Sequence, residues 1–302
     1  MSSPAATHHV TRPLDTLAAA AVVLLCLSWG FNQVATKLAI HDIPPVTQAA
    51  LRSAGAALVI ALWAKARGQA LLVRDGTLLV GLTAGAMFSV EFLLIFRGLL
   101  YTTASRAVVF LYAAPFFVVI GSRIFLPADR FHWSQWAGLA LSFCGIALAF
   151  GLPTPSADPY QSLGDLMMLG GALGWAATTV LIKASALNRA SPARTMLYQL
   201  VVSAVFFAVC IPLFGEHMAR MPSPLALAAL GYQTFWVVSV TFVIWFALVA
   251  RYSANRLSAF TFLSPLFGVA AGHILLGEPL TAAFAASVAL VAAGLVLVNR
   301  AR

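Results

Sequence analysis

Long apolar runs alternate with short polar breaks along almost the whole of this 302-residue chain. A helix that crosses about 30 Å of hydrocarbon at about 1.5 Å per residue needs roughly 20 apolar residues. Ten runs reach about that length, and the connections between them are short. The pattern therefore predicts ten transmembrane helices, at residues 16–40, 45–64, 77–100, 105–126, 133–151, 163–186, 192–214, 225–250, 254–276 and 279–298.

The second half of the chain repeats the first. Residues 104–115 read ASRAVVFLYAAP and residues 254–265 read ANRLSAFTFLSP, and Trp29 of the first span recurs as Trp175 of the sixth. Because each copy holds five spans, an odd number, the second copy must enter the membrane from the opposite side. We expect an all-α integral membrane protein of two inverted five-helix repeats, with a tail at 1–13, repeats at 14–151 and 163–302, and a connecting loop at 152–162.

Composition places the chain in a lipid bilayer. Apolar residues make up 61% of it, charged residues 9%, and the mean hydropathy is +0.93. A soluble domain of this length could not cover so many apolar side chains. The net charge of +9 does not indicate nucleic acid, because the 18 basic residues stand singly between apolar spans, where they act as topology signals. The expected partners are the bilayer and a small-molecule substrate, and the oligomeric state stays open.

The basic residues also predict the orientation. With the N-terminus inside, most of them fall on inner segments, and the outer loops hold little beyond Arg106 and Arg220. Cytoplasmic loops carry an excess of lysine and arginine, so both termini are predicted to be cytoplasmic.

Three short motifs carry a resemblance to a known family. An Ala-x-Arg-x3-Phe-x4-Pro unit occurs at Ala104–Pro115 and again at Ala254–Pro265, Leu-Gly-Glu-Pro follows at Leu276–Pro279, and Trp29 precedes Lys37 by eight residues. In this order and duplication the chain resembles the ten-helix EamA-type permeases of the drug/metabolite transporter superfamily, and most of all their exporters of aromatic and neutral amino acids. The resemblance implies a secondary transporter of a bacterial-type inner membrane that works by alternating access.

The two copies of the motif put prolines at equivalent depths. Pro115 and Pro265 fall near the middle of spans four and nine, where a proline frees a carbonyl and bends the helix. Symmetric bends suit two halves that rock against each other, so both are candidate hinges; the alternative is that proline is simply tolerated in a membrane helix. The copies end differently, because residues 126–129 read LPAD where the family shows Leu-Gly-Glu. The role of Asp129 therefore stays open.

Two charged residues lie deep inside spans. Glu91 is the only acidic residue near the centre of any span, and Arg52 lies about two turns into span two at a similar depth. Charged groups are costly in hydrocarbon and usually face a cavity or a partner. Glu91 is therefore a candidate for proton coupling or for binding an amine, and an Arg52–Glu91 ion pair that only holds two spans together is the alternative.

Polar and aromatic side chains recur at three- and four-residue spacings, which places them on one face of a helix. The expected result is a central chamber that offers hydrogen bonds and aromatic walls, although tryptophan and tyrosine also anchor helices at membrane interfaces. Trp236 and Trp245 of span eight, nine residues apart, do not share an α-helical face, so at most one should see the chamber. The chamber candidates are Trp29, Asn32, Gln33, Thr36, Gln48, Glu91, Trp175, Thr178, Thr179, Tyr198 and Gln199.

Signatures of enzymes are missing from the sequence. It has no His-Glu-x-x-His, no Gly-x-Ser-x-Gly and no phosphate-binding glycine loop with a lysine, and its three cysteines lie far apart in apolar runs. No catalytic residue, cofactor or metal is expected. The favoured function is export of aromatic and other neutral amino acids; the alternatives are a proton-coupled exporter of lipophilic cations and a receptor or scaffold that transports nothing.

Overall fold

The structure is a computed structural model that describes residues 15–71, 73, 75–125, 133–151, 159–249 and 263–300. Within these ranges every regular element is a helix, as the sequence predicts. A 3₁₀ turn spans Ala186–Arg189, and a π-helix spans Tyr232–Val240. The α-helices are α1 Thr16–Ile40, α2 Pro45–Ala66, α3 Leu78–Gly98, α4 Ala104–Leu111, α5 Ala114–Phe125, α6 Trp133–Gly151, α7 Gln161–Ala184, α8 Pro192–Leu213, α9 Pro224–Gly231, α10 Thr241–Val249, α11 Leu263–Leu276 and α12 Ala282–Arg300.

The helices correspond to the predicted spans. In the described ranges, seven helical stretches are long and apolar enough to cross a membrane, and they match spans one to four and six to eight. Shorter apolar helices at Trp136–Ala149, Leu263–Leu276 and Ala282–Gly294 match spans five, nine and ten. The start of span nine, with Ala254 and the rest of its motif up to residue 262, lies outside the described residues, as does the LPAD segment at 126–129.

The two ends of the helix bundle are named here by their connections. The outer end carries the α1–α2 turn at residues 41–44 and the segment 214–223 between α8 and α9, which the charge pattern predicts to lie outside the cell. The inner end carries the α2–α3 connection at residues 67–77.

Span four is broken into two helices. α4 ends at Leu111, Tyr112 and Ala113 form a turn, and α5 begins at Ala114. Pro115 explains the break, because a proline lacks the N–H for an i→i−4 bond and its ring clashes with the carbonyl four residues before it, which here belongs to Leu111. Pro115 is instead accommodated in the first turn of α5. Pro265 is the third described residue of α11.

The Leu-Gly-Glu-Pro motif joins the end of one helix to the start of another. α11 ends at Leu276, and Gly277 has φ +66°, the left-handed conformation with which a glycine commonly terminates a helix. The chain turns there, and the Glu278 carboxylate accepts hydrogen bonds from the backbone N–H groups of Ala104 at 2.7 Å and Ser105 at 2.8 Å. These N–H groups have no partner within α4, so the motif caps a helix of the first half with a carboxylate of the second.

A second glutamate caps α2 in the same way. Glu216, in the segment after α8, accepts hydrogen bonds from the N–H groups of Val46 at 3.1 Å and Thr47 at 2.8 Å. Pro44 at the N-cap position makes no side-chain capping bond, so the Glu216 carboxylate supplies the hydrogen-bond acceptor for the first N–H groups of α2. At the outer end, therefore, carboxylates from the second half cap two helices of the first half.

The motif arginine lies beside these caps in a buried ion pair. Arg106, in the first turn of α4, contacts Asp165 in the first turns of α7, and their side chains are 4% and 0% exposed. The Asp165 carboxylate also accepts a 2.5 Å hydrogen bond from the Thr102 hydroxyl, and Lys37 of α1 donates to the Thr102 carbonyl. The charge pattern of the sequence predicts Arg106 to lie in an outer loop. In the structure it lies inside the bundle, where its ion pair joins the first half of the chain to the second.

Candidate functional site

Several buried polar atoms of the bundle have no hydrogen-bond partner among the described residues. Protein interiors rarely leave such atoms unpaired, because each one costs about 1–3 kcal/mol. Eight of them lie on α1, α2, α7 and α11. They are Asn32 Oδ1 and Gln33 Oε1 on α1; Gln48 Oε1, Arg52 Nε, Arg52 Nη2 and Ser53 Oγ on α2; Thr178 Oγ1 on α7; and Ser264 Oγ on α11.

The polar stripe of α1 reaches both α2 and the π-helix. Thr36 is 1% exposed, and its hydroxyl lies 2.8 Å from the Asn32 carbonyl and 3.2 Å from Gln233 Oε1. Gln48 is fully buried and donates from Nε2 to the Thr36 carbonyl at 3.4 Å. Gln48 Oε1 has no partner among the described residues. The stripe therefore connects helices of both halves of the chain.

Arg52 lies in the interior of the bundle, and no carboxylate of the described residues contacts its guanidinium. Its side chain is 2% exposed, and the guanidinium stacks on the ring of Phe92, 4.0 Å from the centroid, with Phe96 at 5.1 Å. Seven residues separate it from Pro45 at the outer end of α2, which at helical rise is about 10 Å. Its neighbours on α3 are thus aromatic faces.

Glu91 lies at a matching depth on α3. Gly98 at the outer end of that helix is seven residues away, again about 10 Å. Glu91 is 4% exposed and packs against α7 where Gly174 leaves room, since a Cβ added to that glycine would lie 3.0 Å from the Glu91 Cβ. It makes no hydrogen bond or ion pair to the residues that the structure describes.

The two charges do not form the ion pair that the sequence suggests. The ion pairs found between described residues join Arg97 to Glu216, Arg106 to Asp165, Arg194 to Asp75 and Arg220 to Asp42, each within 4.0 Å. Arg52 and Glu91 are not among them, although their charges interact through space. Both groups are therefore buried and uncontacted by an opposite charge.

Trp29 is half-buried and held in position by span eight. Its indole nitrogen donates to the Thr241 hydroxyl at 3.0 Å, and its ring meets that of Trp245 edge to face at 5.4 Å. Three residues along α1, Asn32 continues the same face towards the outer end. The ring thus borders the buried polar stripe on its inner side.

Both tryptophans of span eight contact α1, although nine residues of α-helix would not place them on one face. Trp236 donates from its indole nitrogen to Ser28 Oγ at 2.8 Å, while Trp245 packs on Trp29. The reason is the π-helix at Tyr232–Val240, in which the Thr241 N–H bonds to the Trp236 carbonyl five residues back. An i→i+5 ladder holds more residues per turn, so it changes the faces of the residues beyond it.

Sequence reasoning missed Gln233 as a site residue. It is fully buried at the start of the π-helix, where its Nε2 donates to the Ala229 carbonyl and its Oε1 meets Thr36. The signal was present, because an amide in the middle of an apolar span is costly unless it faces a partner. Ser53, buried next to Arg52, was missed as well.

The candidates on α7 lie in different environments. Thr178 is 4% exposed and its hydroxyl has no partner, and it follows Gly174, which packs on Glu91, by one turn. Thr179 is half-buried. Trp175 is 46% exposed and does not share the enclosed surroundings of Trp29. A role for these residues in substrate binding stays a prediction, with Thr178 nearest to the buried charges.

The candidates on α8 lie closer to the inner end. The Tyr198 ring covers Gly81 of α3, where a Cβ would lie 2.5 Å from the ring atoms, and its hydroxyl is 3.2 Å from that of Thr77. Gln199 is 6% exposed. The structure thus does not bring Tyr198 to Arg52, and its contact with substrate stays a prediction. Among the residues described, no group of three histidine, cysteine, aspartate or glutamate side chains could hold a metal ion.

Comparison with known proteins identifies the family. The model of the EamA-like transporter family matches residues 16–151 and 162–300. The uncharacterized transporter YvbV of Bacillus subtilis is 25% identical over 288 residues, which cover 94% of this chain and 92% of the relative. Proteins named as a probable amino-acid metabolite efflux pump are 27% identical in Salmonella typhimurium and 29% identical in Escherichia coli K12, over 90% and 86% of this chain and 91% and 87% of theirs.

A solved crystal structure shares the fold. It matches 94% of this chain and 98% of its own at a TM-score of 0.68, with 20% sequence identity. The resemblance drawn from the motifs is therefore confirmed, together with the all-helical membrane fold. The chain belongs to the EamA-like transporter family, a family of transporters rather than enzymes.

Proposed function

We propose that this protein is a secondary transporter that exports aromatic and other neutral amino acids across a bacterial-type inner membrane, with both termini in the cytoplasm. The observation that carries the proposal is the set of buried polar atoms without partners at the junction of α1, α2 and the π-helix. A cluster that served only to hold helices together would pair these atoms, since each unpaired one costs about 1–3 kcal/mol. A polar substrate would pair them during transport.

The chemistry of an amino acid matches this set. Its ammonium and carboxylate need acceptors and donors, which the amide oxygens and Arg52 offer, and an apolar side chain needs an aromatic wall. Trp29, Trp245 and Phe92 supply such a wall around the polar stripe. The relatives named as amino-acid metabolite efflux pumps support the same class of substrate.

Alternating access would use the break in span four. Opening the outer end requires the first half to leave the second, so the Arg106–Asp165 contact and the Glu278 cap on α4 would have to separate. The turn at Tyr112–Ala113, before Pro115, lets α4 move with respect to α5. Pro265 in α11 would serve the second inverted repeat in the same way.

A proton-coupled exporter of lipophilic cations is the second candidate. It is favoured by Glu91, a buried carboxylate with no cation in contact among the described residues. Such a carboxylate could attract a cationic substrate or exchange a proton for it.

Uptake into proteoliposomes tests these functions against each other. Labelled phenylalanine, threonine and a lipophilic cation would be offered to purified wild-type protein and to Glu91→Gln, with and without a pH gradient and with empty liposomes as control. Saturable uptake of the amino acids supports the proposal. Cation uptake that needs the gradient and is lost in Glu91→Gln favours the second candidate, and no uptake of any compound favours a receptor or scaffold.

A further inference from the structure

Arg52 differs from the other arginines that form polar contacts in this bundle. Arg97, Arg106, Arg194 and Arg220 each lie within 4.0 Å of a carboxylate. Arg52 is more deeply buried than all of these, at 2% exposure, and yet its Nε and Nη2 have no hydrogen-bond partner among the described residues. Glu91 acts on the Arg52 guanidinium only through space and makes no contact with it. The buried N–H groups are therefore left for an anion that is present only part of the time.

The stacking of Arg52 determines which anion it can take. Its guanidinium lies over the face of Phe92 at 4.0 Å and near Phe96 at 5.1 Å. Guanidinium donors lie in the plane of the group, so a ring against the face leaves the N–H edges available. Two parallel N–H donors on one edge match the two oxygens of a carboxylate.

Amide oxygens without a partner lie on α2 and on α1, which Gln48 contacts, while Ser53 Oγ next to Arg52 can donate or accept. Gln48 lies one turn before Arg52 on α2; its Nε2 donates to the Thr36 carbonyl, and its Oε1 has no partner among the described residues. Asn32 Oδ1 and Gln33 Oε1 lie within about one turn of Thr36 on α1. An ammonium group carries N–H donors that such amide oxygens accept. The donors of Arg52 and the acceptors beside it thus complement a molecule with both charges.

We propose that Arg52 binds the carboxylate of the substrate and so restricts this transporter to carboxylate-bearing metabolites. The proposal rests on the proposed function and deepens it. A decarboxylated amine or a lipophilic cation would leave Arg52 unpaired and add a positive charge beside it, whereas a carboxylic acid that lacks the amine would still satisfy Arg52. Recognition of the carboxylate therefore matters more than recognition of the amine.

The test compares three ligands that share one aromatic side chain. Phenylalanine has both charged groups, 3-phenylpropionate has only the carboxylate, and phenethylamine has only the amine. Their binding to wild-type protein in detergent, measured by displacement of labelled phenylalanine or by direct binding of labelled 3-phenylpropionate, needs no variant and no transport. We expect 3-phenylpropionate to bind at least 10-fold more tightly than phenethylamine.

Variants then assign the preference to Arg52. Removal of a charge-assisted pair reduces affinity on the order of 10- to 100-fold. Arg52→Gln should therefore reduce the affinity for phenylalanine and 3-phenylpropionate by that factor. The affinity for phenethylamine should stay the same or increase. Arg52→Lys keeps the charge without the bidentate edge, so its affinity for the two carboxylates should lie between those of wild type and Arg52→Gln. Arg97→Gln, which removes an arginine of α3 paired with Glu216 and 25% exposed, is the matched control and should bind like wild type.

The outcomes separate this inference from the proposed function. Equal affinity of wild type for the amine and the acid, or displacement of 3-phenylpropionate by chloride alone, overturns the role of Arg52. Binding of carboxylates that depends on Arg52 without any uptake into liposomes supports the inference and contradicts export. Uptake of amino acids with an unchanged KM in Arg52→Gln supports export and contradicts the inference. If Arg52→Gln elutes as aggregate, the wild-type ligand series and Arg52→Lys decide.

Discussion

Replacing Arg106 by glutamine should destabilise the protein far more than the same change at Arg220. Both arginines bind an aspartate at the outer end, but Arg106 and Asp165 are 4% and 0% exposed, whereas Arg220 is 76% exposed beside Asp42. Arg106→Gln leaves the Asp165 carboxylate buried, with the Thr102 hydroxyl as its remaining partner among the described residues. Removing one partner of a buried pair costs about 3–5 kcal/mol, because the other charge stays buried and uncompensated.

Thermal unfolding of the purified protein in detergent measures the difference. A loss of 1 kcal/mol lowers Tm by about 2–4 °C in domains of roughly 150–250 residues, and the lower figure of about 2 °C applies to a longer chain such as this one. Arg106→Gln should therefore lower Tm on the order of 6–10 °C. Arg220→Gln should change it by no more than about 2 °C, since pairs with an exposed partner contribute at most about 1 kcal/mol. The two variants share the substitution and the end of the bundle, and they differ in burial.

A double variant tests the cause. In Arg106→Met with Asp165→Leu no charge is left buried, so Tm should recover most of the loss seen in Arg106→Gln. Equal Tm values for Arg106→Gln and Arg220→Gln would refute a buried, energetically important pair. A double variant as unstable as the single one would show that shape, rather than charge, holds α4 to α7.

Three further changes test the site, the hinge and the outer end. Trp29→Ala should raise the KM for phenylalanine about 10-fold by removing an aromatic wall, and an unchanged KM in liposomes would assign Trp29 a structural role only. Pro115→Ala should lower kcat while binding stays intact, because a continuous helix loses its hinge; equal loss of both would indicate misfolding. Hydrogen bonds from Ser223 and then Arg220 hold the pKa of Asp42 at about 2, below its ordinary value of about 3.9. Since the lowered pKa belongs to the folded state, this stabilisation is present above about pH 4 and is lost as pH falls through 2. Asp42→Asn should therefore flatten the Tm between pH 4 and 2, and an unchanged acid dependence would contradict it.

The sequence predicted what depends on local pattern. Apolar run lengths predicted the spans, and the spacing of Asn32, Gln33 and Thr36 predicted a polar face on α1 that the structure buries. Equal distances from helix ends put Arg52 and Glu91 at one depth. These features follow from helical rise and periodicity, which hold in any bundle.

What the sequence missed depends on contacts between distant segments. Glu278 caps Ala104, 174 residues away, and nothing in the local sequence indicates which helix it reaches. Arg52 stacks on the Phe92 ring and Glu91 packs against Gly174, and no local sequence pattern predicts either contact. The π-helix changes the register of span eight, so a face drawn with α-helical spacing cannot place Trp236 and Trp245.

A structure determined with phenylalanine bound would test most directly whether the unpaired polar atoms form the substrate site. We expect the carboxylate within hydrogen-bond distance of Arg52, the ammonium near the amide oxygens of Gln33 and Gln48, and the ring beside Trp29. Ligand density against the exposed face of Trp175, with Arg52 still unpaired, would contradict both the site and the role of Arg52.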